Sequence, residues 1–226
     1  MKTIYSYNTI HHSMSGEDGI ILHLIKCLQD VGCVIYNTCA EFGASDGVWL
    51  SNTKVLIDMG WESLQIEGDP DKYVELLKNH GDNPKVHCLC AYISPDVEAA
   101  TNFNKFFKIW DKLGLDVLSI DVDSCDYDIF KGLEVSPSIV LVENNSHQEK
   151  YKNEGMTTIT KTANEKGYSL IGYTCNSIFI KTELLPFIDI AEVTPEQAWK
   201  AYWKNSSKMA RESLKSQMDT KNHWKK

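Results

Sequence analysis

Apolar positions recur along this chain in two rhythms, and from residue 35 to residue 181 they alternate. Short apolar runs, each ended by Gly, Asp, Asn or Pro, are followed by stretches with apolar residues three to four apart. The first rhythm predicts strands and the second predicts amphipathic helices. Residues 34–42 read as a strand that runs into the glycine-containing segment Glu41–Gly47. Residues 51–59 then read as a helix, with Gly60 where a left-handed C-cap residue belongs. Strands are predicted at 61–66 and 85–93, and a helix between them at 71–80. Val97, Ala100, Phe103, Phe107 and Trp110 predict a long helix over 96–113. Leu115–Ile120 and Ile139–Val142 are nearly continuous apolar runs, as expected of strands buried on both faces of a parallel sheet. Helices are predicted at 127–133 and 148–166, and 168–173 with 177–181 predict a closing hairpin. Five β-α units with short links imply a doubly wound, mainly parallel α/β sheet of Rossmann-like type, with right-handed crossovers.

Elements also flank this core. Ile20, Ile21, Leu24, Ile25 and Leu28 form the apolar stripe of an N-terminal helix. Thr194-Pro195-Glu196-Gln197 is a capping box that starts a C-terminal one. The expected organisation is an N-terminal arm and helix over 1–32, a core over 33–182, and a helical extension over 183–226. The apolar runs are far shorter than the about 20 residues a membrane-spanning helix needs. Residues 1–10 lack the pattern of a signal peptide, so a cytoplasmic location is expected.

Charge sharpens this picture. The formal net charge of the 226 residues is −8, but residues 200–226 hold eight basic and two acidic side chains, so the body carries −14 and the tail +6. An acidic body argues against a nucleic-acid partner, which needs concentrated Lys and Arg; the tail leaves that question open. Seven cysteines, none in a Cys-x-x-Cys pair, predict reduced, buried structural thiols.

Two features at strand ends carry chemistry. Glu41-Phe42-Gly43-Ala44-Ser45-Asp46-Gly47 sits at a strand-to-helix junction, where glycines permit a tight turn and close ligand approach. Glu67, twenty residues past Gly47, closes the next strand in Ile66-Glu67-Gly68-Asp69-Pro70. In dinucleotide-type folds an acidic residue there chelates ribose hydroxyls. No Gly-x-Gly-x-x-Gly is present. Glu41 and Asp46 would repel a pyrophosphate, whereas a sulfonium bearing an α-amino group would be attracted. The turn therefore favours S-adenosylmethionine over NAD. A plain tight turn and a solvated carboxylate are the bland alternatives.

These motifs, with Ser119-Ile120-Asp121-Val122-Asp123, resemble those of class I S-adenosylmethionine-dependent methyltransferases. Together with Asp126-Tyr127, Val142-Glu143-Asn144 and Gly16-Glu17-Asp18-Gly19, they are most similar to the FkbM-type family over about residues 16–181. The resemblance implies a seven-stranded sheet whose last strand is inserted antiparallel by the terminal hairpin. It implies a cofactor site of Glu41, Gly43, Ala44 and Gly47 around the methionine part and Glu67 with Gly68 at the ribose. Cys90 and Ala91 would lie by the adenine, and Asp121 near the sulfonium. The acceptor it implies is a carbohydrate or natural-product hydroxyl.

Asp121, Glu143 and Asn144 at adjacent strand ends offer an oxygen-rich set suited to Mg²⁺, similar to the metal site of catechol-type O-methyltransferases. The Lys that such enzymes carry shortly after the fourth strand is absent, and the alternative is that these groups bind acceptor and cofactor directly. Asp126 or Asp128 reads as a helix cap. His147 and Asp123 are the candidate general bases, because a hydroxyl attacks poorly unless deprotonated as it reacts. The expected activity is methyl transfer from S-adenosylmethionine to oxygen, with an NAD-dependent oxidoreductase or a non-catalytic binding protein as alternatives. The oligomeric state is open.

Overall fold

A computed structural model describes residues 2–144 and 154–206. Its centre is one seven-stranded sheet: β1 (Thr38–Phe42), β2 (Glu62–Glu67), β3 (Val86–Cys90), β4 (Val117–Ile120), β5 (Ile139–Glu143), β6 (Tyr168–Tyr173) and β7 (Asn176–Lys181). The strand order is β3-β2-β1-β4-β5-β7-β6. Strands β1 to β5 pair in parallel, and β7 pairs antiparallel with both β5 and β6. The mainly parallel sheet with an antiparallel terminal hairpin is thus present.

Alternation along the strands distributes the core. Ala40, Phe42, Leu118, Ile120, Val140, Val142 and Phe179 point to one face. There they meet α4 (Phe103–Trp110), α5 (Asp126–Gly132), α6 (Glu154–Glu165) and a C-terminal helix α7 (195–206). Cys39, Val117, Ile139, Leu141, Ile178 and Ile180 point to the other face, against α1 (Glu17–Asp30) and α2 (Lys54–Asp58). The remaining helix, α3 (Pro70–His80), packs on β3 and β2 near the sheet edge. The apolar residues of β4 and β5 are shared between the two faces, which is why these runs read as nearly continuously apolar.

Several elements are shorter than their periodicity predicts. The first strand begins only at Thr38, after Asn37 at φ 59°. α2 begins at Lys54, because Ser51, Asn52 and Thr53 form a turn bonded to Glu41. The long helix expected over 96–113 is only α4, started by Asn102, whose side chain accepts from the Asn104 N–H. Before it, Asn102 also donates to the Ser94 carbonyl, and Ser94 and Asp96 side chains hold local turns. Side-chain acceptors that satisfy nearby backbone compete with helix, and here they win. α6 is described from Glu154. The capping box of α7 is reciprocal: Gln197 N–H donates to Thr194 Oγ1 (3.2 Å) and Thr194 N–H to Gln197 Oε1 (2.8 Å).

All seven cysteines are free thiols. Only Cys39 is fully buried, and Cys90 is exposed, so the expectation of buried thiols fails for most of them. No helix among the described residues is long and apolar enough to cross a membrane.

Candidate functional site

Strand order reverses between β1 and β4, whose crossovers run to opposite sides of the sheet. A crevice opens at the carboxyl ends of strands at such a point. The structure has a cleft of about 370 Å³ there, within the size range of small-molecule sites. Small residues form much of its wall: Gly43, Ala44 and Ser45 after β1, Gly68 after β2 and Ala91 after β3. Carboxylates supply its polarity, from Glu41, Glu67, Asp121, Asp123 and Glu143, with Lys72 as its basic residue.

The β1 turn is fixed by two glycines. Gly43 has φ +78°, and a Cβ there would sit 1.6 Å from the Asp121 backbone oxygen. Its N–H and that of Ala44 both donate to the Ile66 carbonyl, at 2.9 and 3.0 Å, so the turn is stitched to β2. Gly47 lies away from the cleft: it packs against Leu76 and His80 of α3, and its carbonyl is bonded to His80 Nε2 at 2.8 Å. Asp46 caps its own turn by accepting from Val48 and Trp49 N–H.

Glu67 is nearly buried and braces this turn. Its Oε2 accepts from Ser45 N–H (2.6 Å) and its Oε1 from Asp69 N–H (2.7 Å). A carboxylate has about four acceptor sites, so two remain toward the cleft. Glu41 is different. It accepts from Ser51 Oγ (2.6 Å), Thr53 Oγ1 (2.7 Å) and Asn52 N–H (2.8 Å), and these bonds hold the 51–53 turn beneath the cleft. Gln65 and Ser63 extend the seam on β2, and Asn52 Nδ2 donates to Ser119 Oγ at 3.0 Å on β4. Burial pushes the Glu41 carboxyl above the usual carboxylate range, and its three donors oppose that shift.

At the ends of β4 and β5 a second acidic group forms. Asp121, Asp126 and Glu143 each bring a carboxylate oxygen within 4.8 Å of the others. Asp126 spends both oxygens on its own turn, accepting from Val122 N–H (2.7 Å) and Ser124 N–H (3.2 Å). Asp121 is pushed up to about 8, first by burial and then by the charges of Glu143, Asp126, Asp123 and Glu41. Glu143 is also raised, by burial first and by Asp126 and Asp123 next. Asp123 sits exposed on the rim at φ 60°, a left-handed conformation uncommon outside glycine.

The donors expected for Mg²⁺ are not assembled as a set. Asn144 donates its amide to Ser177 Oγ, and the third carboxylate beside Asp121 and Glu143 is Asp126, already engaged by backbone. Asp121 and Glu143, hydrogen-bonded to one another, are a poor match to an ion that demands octahedral oxygen ligation. Asp128 is exposed in the first turn of α5. Cys90 ends β3 opposite Glu67 and is exposed, but the cleft wall there is formed by Ala91, Tyr92 and Ile93. His147 lies outside the described residues.

Several lining residues carry no motif. Met14 reaches the cleft from the N-terminal arm, which is pinned by the Ser13–Leu50 bridge and by Asp18. Asp18 Oδ2 accepts from three successive N–H groups, His11 (3.0 Å), His12 (2.6 Å) and Ser13 (3.1 Å). Trp49, Leu50 and Tyr92 complete an apolar rim, and a Cβ on Gly68 would fall 2.5 Å from the Tyr92 ring.

No protein-family model matches the chain, and no curated protein matches it. Solved structures similar to it include a precorrin-6y C5,15-methyltransferase from Geobacter metallireducens, 11% identical over 65% of this chain and 70% of that one, TM-score 0.41. A TehB-like SAM-dependent methyltransferase from Corynebacterium glutamicum is 9% identical over 73% and 97%, TM-score 0.40. An O-methyltransferase family protein from Burkholderia thailandensis is 10% identical over 73% and 58%, TM-score 0.41. Likenesses this distant carry no argument about activity; the fold assignment stands on the strand order itself.

Proposed function

We propose that this protein is an S-adenosylmethionine-dependent methyltransferase that methylates a hydroxyl oxygen on a carbohydrate or natural-product-like acceptor. The observation that carries this reading is the cleft at the strand-order reversal, walled by small residues and facing five carboxylates. A sulfonium and an α-ammonium are stabilised by that field, whereas a pyrophosphate would be repelled.

When bound, S-adenosylmethionine supplies a methyl group activated for displacement by its positive sulfur. Glu67 offers its two remaining acceptor sites to ribose hydroxyls while keeping the β1 turn in place. Asp121 and Glu143, at the ends of β4 and β5, line the cleft, and a cation entering there favours the ionised form of Asp121. Asp123, exposed on the same rim, takes the proton of the acceptor hydroxyl, and His147 is the second candidate for that task. Positioning supplies most of the acceleration in such a displacement, up to about 7–11 kcal/mol for well-aligned reactants.

Calorimetric titration with S-adenosylmethionine, its demethylated product and NAD tests the proposal. Binding of the first two, weakened at least about tenfold by Glu67→Ala, is expected. Binding of NAD alone, or of none of them, would overturn it.

A further inference from the structure

A second cluster of metal-ligating groups lies well outside the cleft, where the two ends of the described chain meet α1. His23 and Cys27 are four residues apart and so share one face of α1. Cys27 Sγ lies 3.4 Å from His23 Nε2, and Asp189 Oδ1 lies 2.7 Å from the same nitrogen. One oxygen, nitrogen or sulfur from each of the three falls within 4.8 Å of the others. Around tetrahedral Zn²⁺, bonds of about 2.0–2.3 Å put neighbouring ligand atoms on the order of 3.3–3.6 Å apart. The sulfur–nitrogen pair already has that spacing, and the Asp189 carboxylate, whose side chain is partly exposed, needs to withdraw by less than about 1 Å.

The surroundings orient these ligands. The Tyr7 ring stacks on the His23 ring at 3.4 Å between centroids, and the Tyr7 hydroxyl donates to Asp189 Oδ2 at 2.5 Å. Lys2 Nζ also approaches Oδ2, at 3.4 Å, which leaves Oδ1 facing His23. Partners of this kind fix ligand direction around bound metals. A catalytic dyad does not explain the arrangement. Thiol and carboxylate face the same ring nitrogen, so the ring has no second nitrogen relaying between them.

We propose that His23, Cys27 and Asp189 form a zinc site that staples the N-terminal residues and the 188–190 segment onto α1. The mixed sulfur, nitrogen and oxygen set suits Zn²⁺ in preference to Mg²⁺ or Ca²⁺. Thiolate and carboxylate together balance its charge, with a fourth position for water. Lys2, which is mostly exposed, moves away when the ion enters. This site is independent of the proposed methyl transfer.

The test uses the reduced full chain titrated with Co²⁺, read by the near-ultraviolet thiolate-to-cobalt charge-transfer band. One equivalent is expected to saturate the band, and one equivalent of Zn²⁺ to remove it. Cys27→Ser should abolish the band, Cys90→Ser and Cys125→Ser should retain it, and His23→Gln or Asp189→Asn should weaken Zn²⁺ binding by about 10–100-fold. Thermal denaturation without metal checks that each variant is folded, and Zn²⁺ should raise the melting temperature of the wild type but not of Cys27→Ser. No band, a band that survives in Cys27→Ser, or one lost equally in Cys90→Ser would overturn the proposal.

Discussion

A Cβ on Gly43 would lie 1.6 Å from the backbone carbonyl oxygen of Asp121, so β1 and β4 touch at the floor of the cleft through a position that admits only glycine. The same residue has φ +78°, which independently penalises a side chain. Gly43→Ala must therefore push the turn off β4, and with it the N–H groups that bond to Ile66. We expect a loss of about 2–4 kcal/mol from strain and overpacking together, read as a melting temperature lower by roughly 5–15 °C. Calorimetric titration of the folded fraction should show ligand affinity lost as well.

Glu67 should couple binding to the hold on the β1 turn. Glu67→Gln keeps one oxygen for Ser45 or Asp69 N–H but loses the charge and the second acceptor. Hydrogen bonds to a charged group contribute about 1.5–3 kcal/mol, so S-adenosylmethionine affinity should fall by about 10–100-fold. The N–H left without its acceptor should also lower the melting temperature without ligand, by roughly 3–12 °C in scanning calorimetry, so affinity is measured well below the transition.

These two residues also show how much of the site was legible in the sequence. Gly43 and the strand-end carboxylates line the cleft, as strand termination written locally suggested, whereas Gly47 packs on α3 instead. The duties of those carboxylates were not so written. Glu41 and Glu67 accept bonds from the 51–53 turn and from Ser45 and Asp69, so much of their capacity is internal to the protein. Helical spacing over 96–113 was equally deceptive, since Asn102 caps a helix that starts only at Phe103. Met14 and Tyr92 reach the cleft through tertiary packing on Leu50 and Gly68, which no short-range pattern encodes.

Asp121 predicts a pH dependence. Its carboxyl is raised from the ordinary 3.8 to about 8, so the folded protein holds a proton that the unfolded chain has released. Its contribution to stability is therefore full below about pH 4 and is lost as pH rises toward 8. Across that window the melting temperature should fall steadily as pH rises. Asp121→Asn mimics the protonated form and should flatten the slope in thermal melts at stepped pH.

The same group should report on the charge of the ligand. A cation entering the cleft favours ionised Asp121 and lowers its pKa, so binding near neutral pH must release protons. Titrations in buffers of different ionisation enthalpy should show that release for S-adenosylmethionine, and a smaller one for its uncharged-sulfur product. In Asp121→Asn the release should fall in both cases. Equal release by the two ligands would mean that Asp121 does not sense the sulfonium.

Residues 11–13 of the N-terminal arm converge on one carboxylate, that of Asp18. Asp18 is fully buried and accepts from the N–H groups of His11, His12, Ser13 and Gly19 and from Ser13 Oγ, so five donors lose their partner together in Asp18→Ala. Each buried donor left unsatisfied costs about 1–3 kcal/mol, and the arm avoids that cost by lifting into water. Lifting breaks the Ser13–Leu50 bridge and removes Met14 from the wall. Limited proteolysis should then cut between residues 8 and 16 while α1 and the sheet stay protected. Ligand affinity should fall by roughly tenfold through loss of one apolar wall residue, about 1–2 kcal/mol. Asp18→Asn, which keeps one oxygen to accept from these donors, should fall between the two, and cleavage no faster than in the wild type would show that the arm is held by other contacts.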